Sequence, residues 1–250
     1  MKRTLPICIA LLLVLTTACS PSGAASTSQA GSVSSAPAEP VQTTDPIPDK
    51  AVKPLNQFAL DVTLDAQAHQ LKVKQTLTYY NHTGKPLSQI YFNLIPQAFQ
   101  QDGGGTVVER VSVDGKAGTL SQVKETVYAL NLPTDLKADQ STDIQMKYQV
   151  KIPNIQNRFG YQKNVYNLGN FIATPAVYGK DGWTVEPYVD IGDAFYTEIA
   201  DYDVTIHVPD GYTVASTGRE TTKGRYQAKQ VRDFAFCASD GYTVQQETYN

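Results

Sequence analysis

Residues 144–152 read Ile-Gln-Met-Lys-Tyr-Gln-Val-Lys-Ile, so that apolar Ile144, Met146, Tyr148, Val150 and Ile152 alternate with polar Gln145, Lys147, Gln149 and Lys151. A period of two sends neighbouring side chains to opposite faces, which makes this segment a half-buried antiparallel strand. Leu71, Val73, Leu77 and Tyr79 repeat the pattern around one polar interruption, Gln75, and Asn81-His82-Thr83-Gly84 then supplies turn chemistry. Further strands are expected at 58–64, 90–94, 107–113, 127–132, 203–208, 212–216 and 231–237. Turn signals fall at Asp102-Gly103-Gly104-Gly105, Asp114-Gly115, Pro209-Asp210-Gly211 and Lys223-Gly224. No long helical period occurs; 97–101 and 195–202 each have room for a helical turn or two. The expected fold is all-β, a sandwich of antiparallel sheets.

Composition agrees. The 250 residues are 41% hydrophobic and 18% charged, enough for a substantial core, and 15 Tyr, 17 Gly and 14 Pro beside 2 Met and 1 Trp suit strands and turns. Lys and Arg total 21 against 24 Asp and Glu, a net charge of -3, with no basic stripe to neutralise a row of phosphates. A nucleic-acid partner is therefore excluded.

The N-terminal part is an address followed by a tether. Met1-Lys2-Arg3 precedes an apolar run over 5–15, too short for a bilayer and suited to a signal peptide over 1–18. Leu15-Thr16-Thr17-Ala18-Cys19 resembles the bacterial lipoprotein signal, with Thr16 where Leu is commonest. That resemblance implies a lipid on Cys19 and a protein anchored on the extracytoplasmic face of the cell membrane. Residues 19–54 are mostly Ser, Ala, Pro, Thr and Gly, a composition that cannot offset its ordering entropy and is expected to form a disordered linker. The folded domain is expected over 55–250.

Chemical motifs are few. His69, His82 and His207 are followed by Gln, Thr and Val, so the His-Glu-x-x-His pattern of a zinc peptidase is missing, as is Gly-x-Ser-x-Gly. The run Gly103-Gly104-Gly105 is expected at a hairpin tip. Asp190, Asp193, Glu198, Asp201 and Asp203 form the densest acidic cluster. They could serve a calcium site or a carboxylate pair, but the spacing fails an EF-hand, and the expected role is to cap turns and accept backbone hydrogen bonds. His207 is expected to face solvent and Cys237 to be a buried, inert thiol. From 154 to 193 the alternation fades into an aromatic-rich excursion, and long excursions in compact domains are often functional.

Three sets of residues together resemble a known family. They are Tyr79-Tyr80-Asn81 with 86–94 (Pro-Leu-Ser-Gln-Ile-Tyr-Phe-Asn-Leu) and Pro96-Gln97-Ala98-Phe99; Gly192-Asp193-Ala194-Phe195-Tyr196 with 200–206 and Val208-Pro209; and 231–236 (Val-Arg-Asp-Phe-Ala-Phe). This order is similar to the N-terminal β domain of bacterial lipoproteins in the M1 (gluzincin) aminopeptidase family, over roughly 58–242. The resemblance implies a saddle-like β-sandwich that covers a thermolysin-like zinc domain and helps to bind peptide N-termini. It also implies that zinc, the family's cofactor, is held by a domain absent from this sequence, so that the chain is a truncated product or a piece of a longer enzyme. No cofactor is then expected here, and no catalytic residue; the chain is expected to be inactive alone. Family members recognise the substrate amine through a polar residue preceding the block at Gly192, which makes Asn170 and Glu186 the substrate-binding candidates. Phe171, Tyr178, Trp183, Tyr188 and Phe195 are candidates for the docking face. The alternative is a free-standing surface module whose aromatic excursion grips a glycan or a protein partner.

Overall fold

The structure is a computed structural model that describes residues 53–189, 191 and 196–245. Cys19, the signal segment and nearly all of the linker, as well as Asp190, Asp193 and Phe195, lie outside the described residues. In chain order the strands are β1 (Asn56–Asp65), β2 (Gln70–Tyr80), β3 (Leu87–Asn93), β4 (Gly105–Val113), β5 (Lys116–Gly118), β6 (Leu120–Gln122), β7 (Val127–Leu136), β8 (Ser141–Lys151) and β9 (Phe159–Gln162). They continue as β10 (Val165–Leu168), β11 (Thr174–Pro175), β12 (Tyr178–Gly179), β13 (Gly182–Trp183), β14 (Ala200–His207), β15 (Thr213–Ser216), β16 (Arg219–Thr222), β17 (Arg225–Val231) and β18 (Phe236–Ser239). A 3-10 helix, Ile95–Asp102, separates β3 from β4.

The all-β expectation holds. One eight-stranded sheet runs β16-β17-β14-β1-β2-β8-β4-β5; two four-stranded sheets run β15-β18-β10-β9 and β11-β3-β7-β6; β12 and β13 form a small hairpin. Pairing is antiparallel except between β1 and β14, where Asn56 faces Ala200 and Thr63 faces His207 in parallel register. A parallel pair needs a crossover, and here the crossover is the whole chain between the two strands. Alternation sets the faces as read: Ile144, Met146, Tyr148 and Val150 of β8 are buried beside Leu71, Val73 and Leu77 of β2. One cluster of buried side chains joins these residues to Ile90 and Phe92 of β3, Leu130 of β7, Phe159 and Leu168 around the β9–β10 hairpin, and Phe236 of β18. The three sheets therefore share a single core.

Several local expectations are corrected. Residues 231–237 are not one strand: Val231 closes β17 in the large sheet and Phe236 opens β18 in a small one. Gln230 takes a positive φ of 55° just before the switch, and a period-two pattern cannot show a chain changing sheets. The glycine run caps the 3-10 helix instead of turning a hairpin, with Gly103 at φ 84° and the Gly104 N–H donating to Phe99 O at 2.8 Å. A Cβ on Gly104 would lie 2.9 Å from that of Phe99, so the close approach demands glycine. Within 195–202, residues 196–199 are irregular and Ala200 begins β14, so no helical turn forms in the described part. The excursion is less irregular than expected, because β9 and β10 pair within it.

Gln75 explains the polar interruption in β2. It lies 2% exposed, diagonal to Tyr148 across the β2–β8 register. The Tyr148 hydroxyl donates to Gln75 Oε1 at 2.8 Å, Gln75 Nε2 donates to Ala173 O at 2.8 Å, and the Ala173 N–H donates to the Tyr148 oxygen at 3.3 Å. This closed ring satisfies both peptide groups of a residue buried over the sheet. Removing one buried partner strands the others, so Tyr148→Phe should cost about 1–3 kcal/mol in urea unfolding. Gln149→Ala on the opposite face should stay within about 0.5 kcal/mol, and equal costs would contradict this register.

Candidate functional site

The excursion leaves the Ala173 anchor along two routes. On one side Thr174 and Pro175 form β11 against β3, and the Ala176 N–H donates to Tyr91 O at 2.8 Å. On the other, Asn170 turns the chain in the left-handed region at φ 57°, a conformation Asn tolerates better than most side chains. Its neighbours Phe171 and Ile172 are buried, the Phe171 ring meeting Phe236 edge-on at 5.6 Å. The strand of chain carrying Glu186 is held separately: the Thr184 N–H donates to Val177 O and the Tyr188 N–H to the hydroxyl of buried Thr126, both within 2.9 Å.

These routes bring the two sequence-predicted residues together. Asn170 and Glu186 both line one cleft of about 420 Å³, with Ile172, Tyr188, Tyr196 and Asp233 among the other walls. That volume lies in the range of small-molecule sites, about 300–1,000 Å³. Glu186 is exposed and pairs with Lys124 at 3.2 Å. Asp233 is half-buried: burial pushes its carboxyl above the ordinary range, against the Phe234 N–H it accepts and the pull of Arg158. Its position follows from a reciprocal clamp, Arg232 Nη1 donating to Thr197 O at 2.7 Å and Thr197 Oγ1 donating to Arg232 O at 2.8 Å.

A second cleft of about 360 Å³ shares Tyr196 and Thr197 with the first. It contains Glu198, whose carboxylate accepts from Asn56 Nδ2 at 3.0 Å, while Asn56 Oδ1 accepts the Tyr80 N–H at 2.9 Å. Burial raises the Glu198 carboxyl above its ordinary value of 4.5, opposed by His82 and by the Asn56 hydrogen bond. His82 Nε2 faces the Pro54 carbonyl at 2.7 Å and so carries the hydrogen, while its buried Nδ1 has no hydrogen-bond partner among the described residues. Sequence reasoning missed Asp233 as a wall and assigned Glu198 only a capping role. Neither sits in a motif, and each reaches the clefts through the sheet switch after β17 or the approach to β14.

Other candidates resolve differently. Asp201 accepts from Lys229 and the Gln230 N–H, and Asp203 holds Arg225 through two bonds of 2.8 and 2.6 Å, so these acids serve the sheet as expected. His207 is exposed beside Asp61, and His69 bonds Tyr166 instead. The three histidines thus lie with separate partners, and among the described residues no group of three or more His, Cys, Asp or Glu is arranged to hold a metal ion. The Cys237 thiol is partly buried against Asn167 and raised by burial. Of the docking-face candidates, Phe171 is core, and Tyr178, Trp183 and Tyr188 pack partly buried against it. Of the exposed large apolar side chains among the described residues, Val189 (55%), Ile191 (87%), Tyr196 (59%) and Ile199 (41%) fall within 189–199, while Val107, Val123, Val165, Tyr242 and Val244 lie elsewhere along the chain. Val189 and Tyr196 line the first cleft, and Tyr196 and Ile199 the second.

No protein-family model matches the sequence, and no curated protein matches it. Solved structures do resemble it in fold. An M1 zinc metallopeptidase from Deinococcus radiodurans is similar at a TM-score of 0.48 and 17% identity, over 74% of this chain and 42% of that one. A two-domain M1 zinc metallopeptidase bound to L-arginine gives 0.47 and 16% over the same shares. An aminopeptidase N family protein from Idiomarina loihiensis gives 0.44 and 14%, over 73% of this chain and 29% of that one. The chain spans less than half the length of these proteins.

The raised Glu198 carboxyl has a pH signature. Between its unfolded and its higher folded value, the folded state keeps a proton that the unfolded chain has released, so stability falls as pH rises through that window. Glu198→Gln removes this contribution. The stability of the native chain relative to the variant should therefore decline in urea titrations as the pH is raised above the ordinary carboxyl value of 4.5, and a difference that is flat or rises would contradict the burial of this group.

Proposed function

We propose that the chain is the N-terminal, substrate-docking domain of an M1-type zinc aminopeptidase, anchored extracytoplasmically through a lipid on Cys19, with zinc chemistry supplied by a separate catalytic domain. The observation that carries the reading is the meeting of Asn170 and Glu186 in one cleft that exposed Val189 and Tyr196 also line, with exposed Ile191 two residues along from Val189. A surface meant to stay wet does not normally gather large apolar side chains in one short segment, whereas a face that docks another domain does. The residue pair suits a peptide's amine end, because a carboxylate and a carboxamide oxygen both accept from an ammonium. The chain's own part would be to bind and orient that end while the partner's metal does the hydrolysis. A glycan-gripping module would use several exposed aromatic faces, whereas Phe171 is buried, Tyr178, Trp183 and Tyr188 pack partly buried against the core, and Tyr196 is the exposed aromatic among the described residues of the cleft.

The test mixes the purified chain with a separately produced M1 zinc domain and follows gel filtration and hydrolysis of aminoacyl-p-nitroanilides. A co-eluting complex with faster hydrolysis, both lost in Tyr196→Asp, is expected; unchanged elution and rate would overturn the docking role. In the same study Cys19→Ala should move the cellular protein from the membrane to the soluble fraction, and retention through a high-salt wash would refute the lipid anchor.

A further inference from the structure

We infer that the cleft lined by Asn170, Glu186 and Asp233 selects a basic first residue, its guanidinium or ammonium group pairing with Asp233. The inference deepens the docking reading and rests on it for the placement of the peptide amine. The described lining combines two carboxylates with carboxamides and threonine hydroxyls and includes no Lys, Arg or His, so it offers acceptors and negative charge to whatever enters. An anion would face Glu186 and Asp233 in that lining, with Lys124 already paired to Glu186. A purely apolar side chain would further desolvate the Asp233 carboxylate and bring no charge of its own.

The two carboxylates are not equivalent. Glu186 stands exposed at the rim with Lys124 at 3.2 Å, where solvent screens it and an amine can compete for it. Asp233 comes from the connection between β17 and β18, pinned by the Arg232–Thr197 clamp. Its neighbours draw it down less than burial pushes it up, so its charge is left short of compensation even with Arg158 nearby. A cation delivered by a ligand makes good that deficit, and such a contact is stronger in a partly desolvated cleft than in water. Ile172, Pro187 and Tyr188 give the methylene stem of a long side chain apolar surface to cover. An arginine or lysine side chain satisfies both demands at once, with its α-ammonium left for Asn170 and Glu186.

The test measures binding of small amides to the full chain by calorimetry or chemical-shift titration. Arginine amide and citrulline amide have nearly the same shape and the same α-amine but differ in side-chain charge. Arginine amide should bind about tenfold or more tightly than citrulline amide, and Asp233→Asn should remove that preference, the charged hydrogen bond setting the scale. The native-chain comparison needs no variant, so it stands even if Asp233→Asn fails to fold. Equal binding of the two amides, both weakened by Glu186→Gln, would overturn the basic preference and leave the docking reading intact. If the desamino analogue of arginine amide binds as tightly as arginine amide and Asp233→Asn weakens both, the cation site stands and the amine-docking reading fails. Binding of neither amide overturns the inference.

Discussion

A ring of three hydrogen bonds, Tyr148 to Gln75, Gln75 to Ala173 and Ala173 back to Tyr148, holds the aromatic excursion onto the large sheet. The ring is buried, and every polar atom in it that faces the core has a partner within it, which is the condition for placing amide and phenol groups among apolar side chains. Burial also pushes the Tyr148 phenol far above its ordinary range, so the hydroxyl remains a proton donor at any pH the fold meets. Asn170 lies three residues before Ala173 and Thr174 directly after it, and both line the cleft. The floor of the candidate site is thus fixed to the longest strand pairing among the described residues, that of β2 with β8 along eleven residue pairs.

The walls are attached differently. The Glu186 segment hangs on Thr126, at the start of the β7 hairpin, and the Asp233 segment on its clamp to Thr197. Three independent attachments converge on one cavity, and exposed apolar side chains line both clefts, Val189 the first, Ile199 the second and Tyr196 both. Half-buried carboxyls and exposed apolar groups are both unfavourable for an isolated domain, and their coincidence at one place is the pattern expected of a binding face rather than of a solvent face.

Much of the large sheet was legible in the sequence, because a strand half-buried on one face writes its register as alternation. β1, β2, β8 and β14 all follow that rule, and even the exception, Gln75, marked a real feature. Strands that are short or that change sheets left no such trace: β9 and β10 form a hairpin of four residues each, and β18 pairs with β10 and β15 far along the chain, so 154–193 read as irregular and 231–237 as continuous. Asn170 and Glu186 were reachable only through a family resemblance. Their meeting depends on Ala173 and Thr126, partners that no local spacing encodes. Asp233 was hidden for the same reason, since its half-burial arises from the switch between sheets. Of the docking-face candidates Phe171 is core and Tyr178, Trp183 and Tyr188 are partly buried, because aromatic residues in a polar stretch are as able to pack inward as outward, while Phe195 lies outside the described residues.

Amide hydrogen exchange at Ala173 tests the central role of the buried ring most directly. If the ring anchors the excursion, the Ala173 N–H should exchange about as slowly as the central amides of β2 and β8, through opening of the whole domain. Exchange at Ala173 as fast as in the exposed 180–181 turn, with β2 and β8 still protected, would show that the excursion detaches on its own and that the cleft is not held by the sheet.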